Sequence, residues 1–193
     1  FRKMPYKTPN YETKNGKTSV ETEMGQIPLK IFGKHNLLNL EGARLICNQL
    51  GILDEDFYEA MMSFSGASKR LEKVKRNDDV ILYRDFAHAP SKVKASVDAF
   101  AEQFPAMKKV GVLELHTYSS LNPEFLPQYK NTLAQLDEAV VFYDLEALKI
   151  KNMTPISPEL IKESFGKENL QVFTNADDLK NFWQNLEKSN AAF

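Results

Sequence analysis

A carboxylate, an aromatic ring and an imidazole lie within four consecutive residues, Asp85-Phe86-Ala87-His88. Asp85 could accept a hydrogen bond from a ribose hydroxyl or help to hold a metal-bound nucleotide, and His88 could orient an anionic substrate. A helix-capping aspartate and a partly buried, hydrogen-bonded histidine explain the same residues equally well from this segment alone. Both interpretations stay open until the surrounding elements are considered.

The flanking residues place this segment between a strand and a helix. Residues 80–83 are apolar and β-branched, which predicts a strand, and residues 91–104 carry apolar side chains at helical spacing. Pro90 suits the first helical turn, because the N–H that it lacks needs no partner there. The segment therefore connects the carboxyl end of a strand to the amino end of a helix. Ligands of open α/β sheets bind at that edge, so we predict a ligand site here.

A second polar turn follows the predicted strand at residues 110–115. It contains His116, Ser119 and Ser120. If the two strands are neighbours, their carboxyl ends meet at one edge of the sheet and this turn lies beside Asp85 and His88. We therefore take His116, Ser119 and Ser120 as candidate substrate-binding residues.

Two further clusters lie at the ends of predicted elements. His35, Asn36 and Asn39 lie at the start of a helix, and an asparagine amide can donate and accept at once, as reading an adenine edge requires. The simpler interpretation, which spacing alone favours, is that Asn36 caps the helix. Arg70 follows the small-residue stretch 63–68, where a guanidinium could clamp a phosphate, although most basic residues are merely exposed.

Composition excludes several classes of protein. The 25 Lys and Arg residues balance 26 Asp and Glu residues, which argues against nucleic-acid binding, and no apolar run approaches the ~20 residues of a membrane span. The single cysteine, Cys47, cannot form an intramolecular disulfide and fits a reducing cytoplasm. The three histidines show no metal-ligand spacing, so we expect no metal site built by this chain.

The pattern of elements predicts two units. Residues 6–31 indicate a β-hairpin with an Asn15-Gly16 turn, and helices follow at about 37–46 and 54–62, the second capped by Asp54. Residues 63–68 are small and polar, as in an interdomain hinge. Alternating strands and helices then predict an α/β fold with a mostly parallel, doubly wound, Rossmann-like sheet. Strands are expected at 71–75, 80–83, 110–115, 139–143 and 170–173, and helices at 91–104, 123–136, 157–165 and 176–187.

Three motifs taken in order carry a resemblance to a known family. They are Gly33-Lys34-His35-Asn36-Leu37-Leu38-Asn39, then Phe64-Ser65-Gly66 with Lys69-Arg70-Leu71-Glu72, then Asp85-Phe86-Ala87-His88-Ala89-Pro90. Together they resemble the Mur ligases, the ATP-dependent enzymes that build the peptide of bacterial peptidoglycan. The resemblance is firm from Gly33 to about Asn122. It is closest to members acting on UDP-N-acetylmuramate, which add L-alanine or a recycled tripeptide; the motifs at Arg70 and Asp85 look more like the tripeptide ligase.

The resemblance implies a domain division and a set of roles. Residues 1–62 would be the C-terminal part of the central ATP-binding domain, and residues 63–193 the Rossmann-like C-terminal domain. The family's cytoplasmic chemistry transfers the γ-phosphoryl group of ATP to the sugar's carboxylate, and an amine then attacks the acyl phosphate. His35, Asn36 and Asn39 would line the adenine pocket. Arg70 would reach the nucleotide's phosphates or ribose, and Asp85 and His88 would meet the ribose or the amine.

Several departures qualify what the resemblance implies. Thr117 and Ser120 stand where arginines are expected, which leaves L-alanine and a tripeptide both open as the amine. The phosphate-binding loop and the Mg²⁺ ligands would lie upstream of Phe1, so we expect the chain to be an inactive piece of a longer enzyme. A final strand is expected at about 190–193. The alternative from another class is a non-catalytic Rossmann-like module that binds a nucleotide or a protein, for which no upstream G-x-x-x-x-G-K-[ST] segment is required.

Overall fold

The structure is a computed structural model that describes residues 3–77 and 79–193. Two sheets are present, one of three strands and one of six. Within the described ranges, no helix has the length and apolar character that crossing a membrane requires. The elements in chain order are β1 (Tyr11–Lys14), β2 (Lys17–Thr22), β3 (Gly25–Leu29), α1 (Lys34–Gln49), α2 (Asp54–Ser63), β4 (Glu72–Arg76), β5 (Val80–Arg84), α3 (Pro90–Gln103), β6 (Lys108–Glu114), a 3₁₀ helix (Leu126–Tyr129), β7 (Glu138–Phe142), α4 (Leu145–Ile150), α5 (Pro158–Phe165), β8 (Gln171–Phe173), α6 (Ala176–Asn185) and β9 (Ala191–Ala192).

The three-stranded sheet is built on the predicted hairpin. Lys14 pairs with Lys17 across a two-residue turn, in which Asn15 and Gly16 have φ angles of 52° and 68°. Positive φ at both positions is the type I′ geometry that matches strand twist. β2 lies between β1 and β3, and its buried Val20 packs with residues of α1 and α2.

The start of α2 differs from the sequence-based prediction. The residue that caps the helix is Leu53, and Asp54 is the first helical residue. Its carboxylate instead forms an ion pair with Arg44 at 2.7 Å and accepts a hydrogen bond from Asn48 at 2.9 Å. Arg44 also pairs with Glu41 at 2.6 Å. Because a half-buried guanidinium must be neutralised, both carboxylates pair with it, and the ion pair with Asp54 joins α1 to α2.

The six-stranded sheet confirms the predicted α/β class. Its order is β4-β5-β9-β6-β7-β8; β4 pairs antiparallel to β5, and all other pairs are parallel. All five predicted strands are present. The expected final strand begins as β9, which lies between β5 and β6. Where β9 ends, β5 and β6 border a cavity of about 170 Å³. Val112 of β6 lines this cavity, so its side chain is 44% exposed although β6 is a central strand.

The predicted helix at 123–136 is wrong. Only a 3₁₀ helix forms there, at Leu126–Tyr129, and it is followed by turns. Pro127 explains the difference, because proline inside an α-helix lacks the N–H donor and clashes with the preceding turn. The apolar spacing in this segment is nevertheless used, since Leu126, Leu133 and Leu136 are all buried in the main core.

An aromatic cluster joins the two sheets. Phe32, just before α1, lies 5.4 Å from Tyr83 of β5 and 5.9 Å from Phe104 after α3, measured between ring centroids. Gly33 follows with a φ angle of 87°, and a Cβ atom there would lie 2.5 Å from the Ala99 side chain. Only glycine permits this backbone conformation at such close range. The contact brings the start of α1 against α3.

Candidate functional site

A cleft of about 450 Å³ lies where α1, the loop before β4 and the start of α3 meet. It gathers the predicted nucleotide-binding and catalytic residues, which come from three separate stretches of the sequence: His35, Asn36, Asn39, Arg70, Asp85 and His88. Ser91, Lys92 and Ser96 of α3 complete the polar lining. Residues that are 50 positions apart in the sequence therefore share one concave surface, as expected of a binding site.

The α1 side of the cleft does not use Asn36 as a cap. The N-cap residue is Gly33, without a side-chain hydrogen bond, so the capping interpretation is wrong. Asn36 lies inside the helix, and its Nδ2 donates to the Phe32 carbonyl at 2.9 Å. That bond fixes the orientation of the amide. Within the described residues its Oδ1 accepts no hydrogen bond from the protein, which leaves it available to a donor on a ligand.

His35 is a partly buried imidazole between opposite charges. Burial lowers its pKa below the ordinary value of 6.5; nearby Asp85 opposes the shift, and Arg70 adds to it. The neutral imidazole is therefore favoured. In the part of the chain that the structure describes, its Nδ1 is buried without a hydrogen-bond partner. A buried polar atom of this kind costs free energy unless a water or another polar group satisfies it.

Arg70 is held in the loop before β4 by contacts with the Asp85 turn. Its neighbours Lys69 and Leu71 have φ angles of 57° and 43°, in the left-handed region that costs most residues free energy. The Lys69 carbonyl accepts a 2.8 Å hydrogen bond from the Phe86 N–H, and the Lys69 N–H donates to the Glu72 carboxylate at 2.8 Å. These bonds tie the backbone around Arg70 to the residue after Asp85.

Asp85 is held by a hydroxyl and is not a helix cap. Ala89 is the N-cap residue of α3 and makes no side-chain capping bond, so the capping part of that alternative is wrong. Its other part is confirmed, because His88 is partly buried and its Nδ1 lies 3.0 Å from the Phe86 carbonyl oxygen. The Ser96 hydroxyl donates to Oδ2 of Asp85. Because Ser96 belongs to a regular helix, this bond fixes the orientation of the carboxylate. The other oxygen, Oδ1, can accept a hydrogen bond from another donor.

Three aromatic rings come together where β5 and β6 end. The ring centroid of Phe86 lies 5.3 Å from that of His88 and 5.9 Å from that of His116, and the two histidines are 6.0 Å apart. The condition that we set for this meeting, that β5 and β6 are direct neighbours, is not met, since β9 lies between them. Because β9 ends at Ala192, the turns after β5 and β6 nevertheless meet beyond it.

The cleft lining does not include His116, Ser119 or Ser120. Ser120 is only 1% exposed, and its hydroxyl is engaged with Thr117, donating to the carbonyl and accepting from the N–H, both at 3.0 Å. Ser119 is exposed, and its hydroxyl lies 3.2 Å from that of Thr117. The structure therefore associates His116 with the His88 turn and gives the buried serine a role in forming its own turn.

Three polar residues of the lining, Ser91, Lys92 and Ser96, were not among the candidates from sequence motifs. Lys92 and Ser96 lie on α3, four residues apart. Helical residues at this spacing share a face, so the predicted helix 91–104 already implied that the two side chains lie together above the Asp85 turn. Across residues 3–77 and 79–193 no group of three or more His, Cys, Asp or Glu side chains could hold a metal ion.

Comparisons with known proteins identify relatives for both sequence and fold. A UDP-N-acetylmuramate--L-alanine ligase from Caldicellulosiruptor bescii is 32% identical over 149 residues, which cover 77% of this chain and 31% of that protein. The structure of UDP-N-acetylmuramate-alanine ligase from Thermotoga maritima gives a TM-score of 0.72 at 17% identity, covering 95% of this chain and 40% of that one. The MurF ligase of Thermotoga maritima in complex with ADP gives 0.63 at 18% identity, covering 95% and 40%. No family model matches the chain.

The relatives agree in name and in coverage. Eight curated UDP-N-acetylmuramate--L-alanine ligases match between 73% and 82% of this chain. The chain spans only 30% to 36% of their length. The structural neighbours share the mostly parallel α/β fold described above. This chain belongs to the Mur ligase family, in which it corresponds to a C-terminal portion.

Proposed function

We propose that this chain is part of an ATP-dependent ligase of peptidoglycan synthesis that joins the carboxylate of UDP-N-acetylmuramate to an amine. Residues 1–62 would belong to a central ATP-binding domain and residues 63–193 to a C-terminal domain. The observation that carries the proposal is the cleft of about 450 Å³ between these two parts, which gathers His35, Asn36, Arg70, Asp85 and His88. Catalysis between domains requires such residues from both sides.

The α1 side of the cleft suits an adenine ring. Asn36 offers a fixed carbonyl oxygen, which can accept from the exocyclic amine of adenine. His35 lies beside Asn36 in the same lining, and a neutral imidazole can either donate or accept. Asn39 lies one helical turn further along the same lining. We assign these three residues to the base.

The opposite lining suits the phosphates and the reacting groups. When bound, ATP supplies the phosphoryl group that activates the sugar's carboxylate. Arg70 would neutralise phosphate charge as it is redistributed, which is the main contribution a protein makes to phosphoryl transfer. Asp85, oriented by Ser96, would accept a hydrogen bond from the ribose or from the amine, and His88 would shape that site.

Mg²⁺ and much of the phosphate cradle would be held by parts of the enzyme outside this chain. Binding of ATP to the isolated chain should therefore be weak, and the isolated chain should not catalyse. We place the reaction in the cytoplasm, where ATP is available; the lone thiol of Cys47 is compatible with a reducing compartment. The names of the curated relatives support L-alanine as the amine, with a recycled murein tripeptide as the alternative.

The experiment offers the full-length protein ATP, UDP-N-acetylmuramate and either L-alanine or the tripeptide, and measures phosphate release. Arg70→Ala and Asp85→Ala should each lower turnover at least about tenfold, the loss expected from removing a positioned charge. Arg76→Ala and Asp98→Ala, which change exposed charges outside the cleft, should keep wild-type rates. Wild-type rates in the Arg70 and Asp85 variants, with circular dichroism unchanged, would refute the assignment of this cleft.

A further inference from the structure

We propose that Lys92 determines substrate specificity by binding a free carboxylate on the amine substrate. The inference rests on the proposed ligase function and extends it to the chemical class of the amine, an amino acid or peptide whose own carboxylate is ionised. Lys92 belongs to the same cleft lining as Asp85 and His88.

Lys92 and Lys94 lie on the same helix but differ in the contacts of their ammonium groups. Lys94 forms an ion pair with Asp98 at 2.8 Å and does not line this cleft. Within the described residues Lys92 makes no ion pair and no side-chain hydrogen bond, and it is exposed. Its ammonium group is therefore available to an anion that enters the cleft.

The geometry around Lys92 matches the two charges of an amino acid. Lys92 and Ser96 lie four residues apart on one face of α3, and Ser96 holds the carboxylate of Asp85. A positive and a negative group thus lie along one short stretch of the lining. An α-amino acid presents an amino group and a carboxylate two bonds apart on either side of its α-carbon, so Asp85 can face the amine while Lys92 faces the carboxylate.

Among the described residues that line the cleft, the lysines and arginines are Lys92 and Arg70. The turn after β6 contains His116, Thr117, Tyr118, Ser119 and Ser120, and the Ser120 hydroxyl is already bonded to Thr117. Arg70 lies close enough to His35 to lower its pKa, which places it on the side assigned to the nucleotide. A carboxylate that loses water in a closing cleft needs a charged partner, and Lys92 is the remaining lysine or arginine in the lining.

A chemical double-mutant cycle tests the inference in the full-length enzyme. Wild-type enzyme should show a KM about tenfold higher for L-alaninamide than for L-alanine, the loss expected from one charge-assisted hydrogen bond, with little change in kcat. Lys92→Ala should raise the KM for L-alanine about as much and should no longer distinguish the amide from the acid. Lys92→Arg should restore the distinction. Lys94→Ala is the matched control and should behave like wild type.

The outcomes separate this inference from the proposed function. If wild-type enzyme releases no phosphate with L-alanine, the tripeptide or their amides, the ligase function fails and the inference fails with it. If wild-type enzyme is active but Lys92→Ala and Lys92→Gln still prefer the acid as wild type does, only the inference is overturned. Activity with the tripeptide and none with L-alanine would also overturn the inference, because the C-terminal carboxylate of a peptide does not lie two bonds from the amine that reacts.

Discussion

The hydroxyl of Thr18 in β2 donates a 2.9 Å hydrogen bond to Oε1 of Gln103 in α3, and both side chains are buried. The amide of Gln103 completes the contact by donating to the carbonyl of Gly16 in the hairpin turn at 2.6 Å. Nearby, Tyr11 donates to Glu102 at 2.8 Å. The joint between the hairpin sheet and α3 therefore contains paired polar groups, which are directional and specify one arrangement of the two parts. A movement that opens the cleft at this joint would have to break them.

Replacing Gln103 should destabilise the protein more than its size suggests. Gln103→Ala removes one buried and one partly buried hydrogen bond, to Thr18 and to the Gly16 carbonyl, so we expect a loss of about 1–3 kcal/mol in the free energy of unfolding. Urea denaturation measures it. Gln184→Ala, at an exposed position of α6, is the control and should stay within about 0.5 kcal/mol of wild type. Equal midpoints for the two variants would show that the contact contributes nothing.

Two glycines with similar backbone angles separate strain from packing. Gly33 and Gly51 have φ angles of 87° and 85°. A Cβ atom at Gly33 would meet the Ala99 side chain at 2.5 Å, whereas one at Gly51 would meet nothing within 4 Å. Both Gly→Ala changes incur backbone strain of about 1 kcal/mol, and Gly33→Ala should lose about 1–3 kcal/mol more through overpacking. Thermal unfolding measures the stability of the two variants. Equal losses of stability would show that Gly33 and Ala99 are less tightly packed than the structure indicates.

The fold was predictable where local chemistry agrees with the tertiary structure. Asn15-Gly16 indicated its turn because few other residues adopt two successive positive φ angles. The apolar spacing at 123–136 led to the wrong prediction of an α-helix. The spacing reflects burial of the segment, while Pro127 prevents the α-helical backbone. Asp54 misled for a different reason. Its pairing with Arg44 depends on how α1 and α2 pack, and no local rule contains that information.

The site was predictable in part for the same reason. Arg70, Asp85 and His88 lie at element ends, which made them candidates, and the resemblance of their motifs to a known family favoured a functional role over the simpler interpretations. Lys92 could have been found from the helical period alone. The burial of Ser120 could not be predicted from the sequence, because it depends on how the segment with the 3₁₀ helix and turns packs at the end of β6. The insertion of β9 between β5 and β6 is likewise a property of the whole chain path.

Ser96 should act as a positioning residue for Asp85. Ser96→Ala removes the hydroxyl that donates to the Asp85 carboxylate, so we expect turnover of the full-length enzyme to fall about threefold to tenfold without loss of the fold. If Ser96 works through Asp85, adding Ser96→Ala to Asp85→Ala should cause little further loss. Steady-state rates of the two single variants and the double variant measure this. Fully multiplicative losses would show that the serine acts independently.

The lowered pKa of His35 predicts a pH dependence of stability. Burial is the main cause, with a smaller effect of Arg70 in the same direction and an opposing effect of Asp85. The folded protein therefore binds a proton at His35 more weakly than the unfolded chain does. Since stability rises with pH wherever the unfolded state binds more protons, the free energy of unfolding should fall as pH drops from about 6.5 through the lowered folded value. The carboxyl groups of Asp54 and Asp137 also have lowered pKa values, because Asn48 and the Lys109 N–H donate to them, but they titrate below their ordinary value of 3.8.

His35→Asn should weaken this dependence. Urea denaturation at about pH 7.5 and about pH 5.5 gives the change in unfolding free energy for each protein, and the variant should lose less stability between them than wild type does. His88→Gln, in which His35 is retained, is the control and should keep the wild-type difference. Wild type and His35→Asn should differ because, within the described residues, the His35 Nδ1 is buried without a protein partner. Protonation of His35 therefore adds a charge at a buried atom that has no hydrogen-bond acceptor there. An identical loss in wild type and His35→Asn would mean that the imidazole is as well solvated in the folded protein as in the unfolded chain.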